Sequence, residues 1–161
     1  MSIPEFGLKR ENEERRDGGC GIVYDPQTKK FAVGEQHDTG MYRLFSGGVD
    51  VGEDIEQGVV REVKEESGLY DFARIEKVAE AMSHYRNDLR NVNRVAHATC
   101  FLIVVNSTKT EEVHLEAHEK FSLVWVTEEE LLKNWSERNQ NKDLDHWVYF
   151  FSLAKEKLGI K

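Results

Sequence analysis

Residues 47–70 read GGVDVGEDIEQGVVREVKEESGLY, and the folding of this stretch decides the rest. Carboxylates crowd it, yet valine and isoleucine are threaded between them. Asp54 supplies a short acceptor just ahead of an apolar-periodic run, with Gln57 three residues on, and the pair predicts a helix N-terminus. Gly68 predicts its end. Val59 and Val63 are four apart, so they share a face that docks on a sheet. At about 100° per residue, Glu62, Glu65 and Glu66 fall within a sector of roughly 100° beside that apolar stripe.

Like charges at these spacings repel, and setting them next to a buried face adds a desolvation cost. The arrangement makes physical sense if a hard cation sits there. Mg2+ takes oxygen ligands, typically a few carboxylates together with water and substrate phosphates. Arg61 stands four residues before Glu65 and is placed to orient it by paired hydrogen bonds. Gly58 leaves room on the same side for a backbone or ligand to approach. Taken alone, the hexamer EVKEES reads as the solvated face of a surface helix, so the spacing of the whole stretch has to separate the two readings.

That spacing resembles the Nudix hydrolase box, Gly-x5-Glu-x7-Arg-Glu-U-x-Glu-Glu-x-Gly-U, where U is bulky and apolar. Gly47 is followed after five residues by Glu53, and after seven more by Arg61 and Glu62; Val63, Glu65, Glu66, Gly68 and Leu69 fill the remaining positions. The resemblance implies an α/β fold, an α/β/α sandwich with a mixed β-sheet, in which the box forms loop, helix and loop. It implies hydrolysis of a nucleoside diphosphate linked to another moiety, dependent on Mg2+ or, as the alternative ion, Mn2+. Carried over by matching position, Glu62 and Glu66 are the foremost metal ligands. Glu65 is a third ligand or reaches the metal through water, and the Gly47 carbonyl completes the site. Glu53 supports the metal shell, and Arg61 orients a box glutamate. Members often place a further acidic residue before the last strand, as ligand or base. LEAHEKF offers Glu116 and Glu119 there, and Glu119 is preferred; His118 reads as a loop histidine. Many members carry Pro-Gly-Gly at the mouth of the box, where this chain has FSGG.

Substrate choice rests on less. Tyr85 lies 16 residues past Leu69, where the family's dinucleoside polyphosphate hydrolases tend to carry a Tyr. No Pro occurs in residues 80–105, which speaks against the ADP-ribose branch. Arg86, Arg90 and Arg94 are spaced by four and form the main local basic feature of an acidic chain, placed to meet a polyphosphate. They read equally as solvated loop charges. Arg43, in MYRLF just before the box, is a further candidate for the substrate pocket. The reading is a pyrophosphohydrolase of a dinucleoside polyphosphate or nucleoside triphosphate. The rival substrates are ADP-ribose and nucleotide sugars. The rival class, a non-catalytic nucleotide-binding regulatory domain, is disfavoured because every box glutamate is present. A diphosphate isomerase would need a catalytic Cys and metal-binding histidines, a pattern to which nothing ties Cys100 and His97.

The rest of the chain frames this box. Its 161 residues are 39% hydrophobic and 32% charged, enough for one domain with a real core. The domain is expected over 18–161, preceded by a loose, charged arm over 1–17. A net charge of −8 excludes non-specific binding to duplex nucleic acid. No apolar run reaches membrane length, and the first residues lack the apolar middle of a secretory signal. The expected setting is therefore the cytoplasm, with a small-molecule nucleotide as partner and a homodimer as the assembly to consider. Cys20 and Cys100 read as buried free thiols.

GGCGIVYDPQTKKFAVGEQ predicts two strands around a turn at Asp25 to Lys29. RVAHATCFLIVVN and FSLVWV predict two more, and ARIEKVAEAMSHY, which fits helix or strand by pattern, is read as a further strand because Ile75, Val78 and Met82 give only a weak helical face. Thr127 with Glu130 forms a capping box that opens a short helix. LDHWVYFFSLAKEKLG predicts a closing amphipathic helix ended by Gly159.

Overall fold

The computed structural model describes residues 3–88 and 90–160. In chain order the elements are β1 (Glu5–Phe6), β2 (Glu14–Arg15), β3 (Gly18–Asp25), β4 (Lys30–Gln36), β5 (Tyr42–Arg43), β6 (Phe45–Gly48), α1 (Ile55–Ser67), β7 (Phe72–Asn87), β8 (Val92–Val105), β9 (Phe121–Val126), α2 (Glu128–Arg138) and α3 (Asp145–Leu158). The five predicted strands and three predicted helices all form, within a few residues of the expected limits.

Among the described residues the strands join one nine-stranded mixed sheet. Its axis is the parallel pair β3–β8, in register from Gly18 opposite Ala98 to Tyr24 opposite Val104. On its other side, β3 pairs antiparallel with β6 through its first half and with β4 through its second. β7 and β8 form a long antiparallel hairpin, with register shifts near Phe72 and near Lys77. Successive side chains of a strand face opposite sides, which divides the core in two. On one side Val59 and Val63 of α1 pack with Val23, Phe45, Phe101 and Ile103. On the other, Leu131 and Trp135 of α2 and Phe150 and Phe151 of α3 cover Cys20, Ile22, Cys100 and Leu102. This is the α/β/α sandwich expected from the sequence, and both cysteines are buried and free.

Two glycines of β3 bring α1 down onto the sheet. A Cβ on Gly19 would lie 2.5 Å from Val59 Cγ2, and one on Gly21 would lie 2.8 Å from Val63 Cγ2. The valines spaced by four thus sit directly on glycine backbone and are fully buried, each burial contributing about 2 kcal/mol.

Residues 3–17 do not form a loose arm. β1 adds in parallel to β7 at Met82 and Ser83, and β2 adds in parallel to β8 at Arg94 and Val95. Buried His84 is held between them, Nδ1 2.8 Å from Glu13 and Nε2 2.9 Å from Glu5. The carboxylates of a highly charged segment find a buried imidazole, and exposed backbone finds unpaired sheet edge. Strands of two residues carry no periodicity, so composition alone suggested disorder.

Candidate active site

The box helix is fixed at both ends. Asp54 accepts from the Gln57 N–H at 3.1 Å, and Gly68 closes the helix in the left-handed region at φ 81°. Past that end, Glu111 N–H donates to the Gly68 carbonyl at 2.8 Å and His114 N–H to the Glu65 carbonyl at 2.7 Å. These two bonds tie the loop before β9 to the last turn of α1. A turn then follows, closed by Glu119 N–H to the Glu116 carbonyl and by Glu116 N–H to Glu119 Oε1, both at 2.9 Å. It delivers Glu119 to the helix. Carboxylate oxygens of Glu62, Glu66 and Glu119 lie within 4.8 Å of one another.

Glu66 is the buried member, only 2% exposed. Its Oε1 accepts from the Ser46 backbone N–H at 3.0 Å. Its Oε2 is buried with no hydrogen-bond donor. Burial, with the carboxylates of Glu119 and Glu62 beside it, pushes Glu66 up to about 10, against a weaker downward pull from Arg43. Burial also raises Glu62, with Glu65 and Glu119 adding to it and Arg61 opposing. Burial is the largest influence on Glu119 and works to raise it, but Glu66, the Glu116 N–H and the charges of Arg43 and His118 together outweigh it and leave Glu119 below the ordinary range. The trio therefore holds a proton that a cation would displace.

Gly47 is the floor of this cluster. A Cβ there would lie 2.5 Å from Glu62 Cδ, so the carboxylate rests on bare backbone. The Gly47 carbonyl oxygen stands on the Gly18 side, 2.4 Å from where a Gly18 Cβ would be. Gly58 does likewise for Glu53, whose Oε1 lies 3.0 Å from the place a Gly58 Cβ would take.

Arg61 reaches three carboxylates. It grips Glu53 twice, Nε to Oε2 at 3.0 Å and Nη2 to Oε1 at 3.2 Å. Its Nη1 donates to Glu62 at 3.1 Å and to Glu65 at 3.3 Å. The expected partner, Glu65, is thus the weakest of the three, and Glu53 receives the bidentate fork. That fork holds Glu53 below the ordinary carboxylate range. Glu65 is 39% exposed at the rim, outside the trio. Arg43 lies with its guanidinium 5.0 Å from the Phe121 ring centre, and its charge acts on both Glu66 and Glu119.

The arginines spaced by four fall on different elements. A hairpin divides them: Arg86 is on β7, Arg90 in the turn and Arg94 on β8. Arg86 is bound to the side chains of Asp88, Asn91 and Asn93. Arg90 is exposed, its backbone N–H on Asn87. Tyr85 stands opposite Arg94, on the face of the sheet that α2 and α3 cover. Burial raises its phenol, while Arg94 and Arg16 oppose. Sequence reasoning did not single out the Ser46 N–H, because a backbone donor leaves no trace in residue type. It also missed Arg16, for which the paired arginines of ERRDGG just ahead of the first long strand were the available signal.

A family model described as NUDIX domain matches residues 14–148. The chain superposes on the NUDIX domain of Shewanella oneidensis NrtR complexed with ADP ribose at a TM-score of 0.64 and 14% identity, covering 91% of this chain and 90% of that one. A NUDIX hydrolase from Nitrosomonas europaea gives 0.60 at 15% identity, over 86% and 89%. At such identity the likeness speaks for the fold. NAD-capped RNA hydrolase NudC of Vibrio atlanticus is 56% identical over 52 residues, which are 31% of this chain and 19% of that protein's length.

Proposed function

We propose that this chain, which belongs to the Nudix hydrolase family, is a pyrophosphohydrolase of nucleotide-linked substrates that cleaves a dinucleoside polyphosphate or a nucleoside triphosphate beside Glu62, Glu66 and Glu119. The observation that carries this reading is Glu66 Oε2, buried without a donor in a group of three carboxylates. An unsatisfied buried carboxylate is costly unless something charged comes to meet it. The donors are all hard oxygens, the set that Mg2+ or Mn2+ takes. An ion held by these three residues would neutralise phosphoryl oxygens and acidify a water.

The chain's own residues supply the rest. Ser46 N–H fixes Glu66 from the mouth of the box, and bare Gly47 lets Glu62 lie flat against the strand. Arg61 locks Glu53 and steadies Glu62 and Glu65 from outside. Glu65, at the accessible rim, is the carboxylate positioned to take a proton from the attacking water, and Glu119 completes the trio with Glu62 and Glu66. Arg43, beside the trio and without a carboxylate bond of its own, meets substrate phosphate. Tyr85 borders the nucleotide on the opposite face. Arg86 is already engaged, so any contribution from it or from Arg90 comes from the hairpin turn.

ADP-ribose or a nucleotide sugar is the second reading, favoured by the likeness to a NUDIX domain complexed with ADP ribose. One panel separates them. Purified protein is incubated with Mg2+ and dinucleoside polyphosphates, nucleoside triphosphates, ADP-ribose and nucleotide sugars, and nucleotide or phosphate release is followed. Fastest turnover of the first two classes supports the proposal; fastest turnover of the others transfers it to the second reading; silence throughout removes both.

A further inference from the structure

Gly47 and Gly48 are successive strand residues and so face opposite sides of the sheet. Below Gly47 lies the Glu62 carboxylate. Against Gly48 lies the Arg16 guanidinium: a Cβ there would be 2.2 Å from Arg16 Nη2 and 2.5 Å from its Cζ. Arg16 is put there by backbone, since β2 runs beside β8 and the Arg16 N–H donates to the Val95 carbonyl at 3.0 Å. The next side chains on this face are Arg94, level with Glu14 of β2, and Tyr85, level with Arg94.

Most arginines of this acidic chain are taken up. Arg10, Arg15, Arg61, Arg74, Arg86 and Arg138 each pair with a carboxylate. Among the described residues, the side chains of Arg16, Arg43, Arg90 and Arg94 have no carboxylate partner; Arg16 and Arg94 are the two on the Gly48 face, and Arg94 Nε is buried with nothing to donate to. Arg16 is exposed to solvent. The charges of Arg16 and Arg94 both act on the Tyr85 phenol, and planar forks with open donors match phosphate oxygens.

We infer that Arg16 and Arg94 form an anion subsite that grips a phosphate of the substrate on the Gly48 side of the strand, while the acidic trio works on the Gly47 side. The inference rests on the reading of the chain as a nucleotide pyrophosphohydrolase and adds a specificity element to it. The N-terminal segment contributes directly to recognition through Arg16. Tyr85, half-buried beside Arg94, walls the subsite and offers a ring for a base or ribose. A substrate with charge on both sides of the scissile anhydride would be held across the glycine pair, whereas one with a neutral distal group would not use the arginines.

The test is made without metal, so that it does not depend on hydrolysis. Full-length protein in EDTA is titrated with inorganic pyrophosphate and with ADP by calorimetry. Arg16→Ala and Arg94→Ala should each weaken binding about tenfold or more, as loss of a charge-assisted fork implies. Gly48→Ala should reproduce the Arg16→Ala loss, because the new methyl evicts the guanidinium at a strand position that tolerates alanine. Arg15→Ala, which removes an exposed pair with Asp17, should leave binding unchanged. Matching melting temperatures exclude unfolding as the cause. Wild-type affinity in the Arg16→Ala/Arg94→Ala double variant would overturn the inference, even if the hydrolysis panel succeeds. A silent panel with arginine-dependent binding would instead overturn the catalytic reading alone.

Discussion

Ser46 and Glu66 are joined by one hydrogen bond, backbone N–H to Oε1 at 3.0 Å, across 20 residues of sequence. It satisfies one oxygen of the most buried carboxylate in the site and leaves the other turned toward Glu62 and Glu119. Glu66→Gln keeps the acceptor for Ser46 and removes the charge. The metal-free variant should melt above wild type at neutral pH, because glutamine is neutral in the folded and the unfolded chain whereas Glu66 must take up a proton to fold. Its hydrolysis should fall by at least about 100-fold, and Mg2+ should no longer raise its melting temperature. A variant that hydrolyses at the wild-type rate would show that the trio is not the metal site.

The proton on Glu66 sets a pH dependence with a definite sign. Its folded value, about 10, lies above the ordinary 4.5. The metal-free folded state therefore holds a proton that the unfolded chain releases. This stabilising term is complete below about pH 4.5 and is lost as pH climbs toward the folded value, by at most about 1.4 kcal/mol per pH unit. Metal-free protein should melt at lower temperature as pH rises from about 6 to 9. Stabilisation by Mg2+ should grow over the same range, and binding should release protons, measurable by calorimetry in two buffers of different ionisation enthalpy. Metal binding without proton release would contradict the assignment.

Arg61 makes a fork on Glu53 while its remaining nitrogen serves Glu62 and Glu65. Lysine supplies the charge but not the plane. Arg61→Lys should fold normally by circular dichroism and lose about 10- to 100-fold in turnover. Full activity in the lysine variant would reduce Arg61 to a source of charge.

Two glycine substitutions should separate stability from function. Gly19→Ala sets a methyl 2.5 Å from Val59 Cγ2 and 2.7 Å from the Thr99 carbonyl. It should cost about 1–3 kcal/mol of stability by overpacking, read by chemical denaturation. Gly47→Ala sets a methyl 2.5 Å from Glu62 Cδ, at the end of a flexible side chain rather than against backbone. It should leave the denaturation midpoint nearly unchanged and weaken the response to Mg2+. Equal destabilisation by both changes would count against Gly47 as the floor of the site.

Much of this was legible in residue order. The spacing from Gly47 to Leu69 announced the box helix, and Asp54, Gly68, Thr127 and Glu130 marked ends that the structure reproduces. Val59 and Val63 announced a buried face because their period is local. The arrival of Glu119 was less legible, since it depends on bonds from 111 and 114 to the end of α1 that no side chain encodes. The separation of the arginines from 86 to 94 was not legible, because their spacing of four straddles a hairpin. Arg16 was hidden in a charged run whose backbone, rather than its composition, chooses the sheet.

The parallel pairing of β3 with β8 has a kinetic consequence. Gly18 cannot meet Ala98 until nearly two-thirds of the chain is made, and Glu119 comes later still. Parallel pairing over such a separation costs loop-closure entropy before any contact returns it. The hydrogen bonds of the box helix are local, whereas the trio assembles only when the central strands close. Catalytic competence in this chain is therefore a late folding event. Conditions that slow closure of the central strands should lengthen the interval in which the protein is helical but inert.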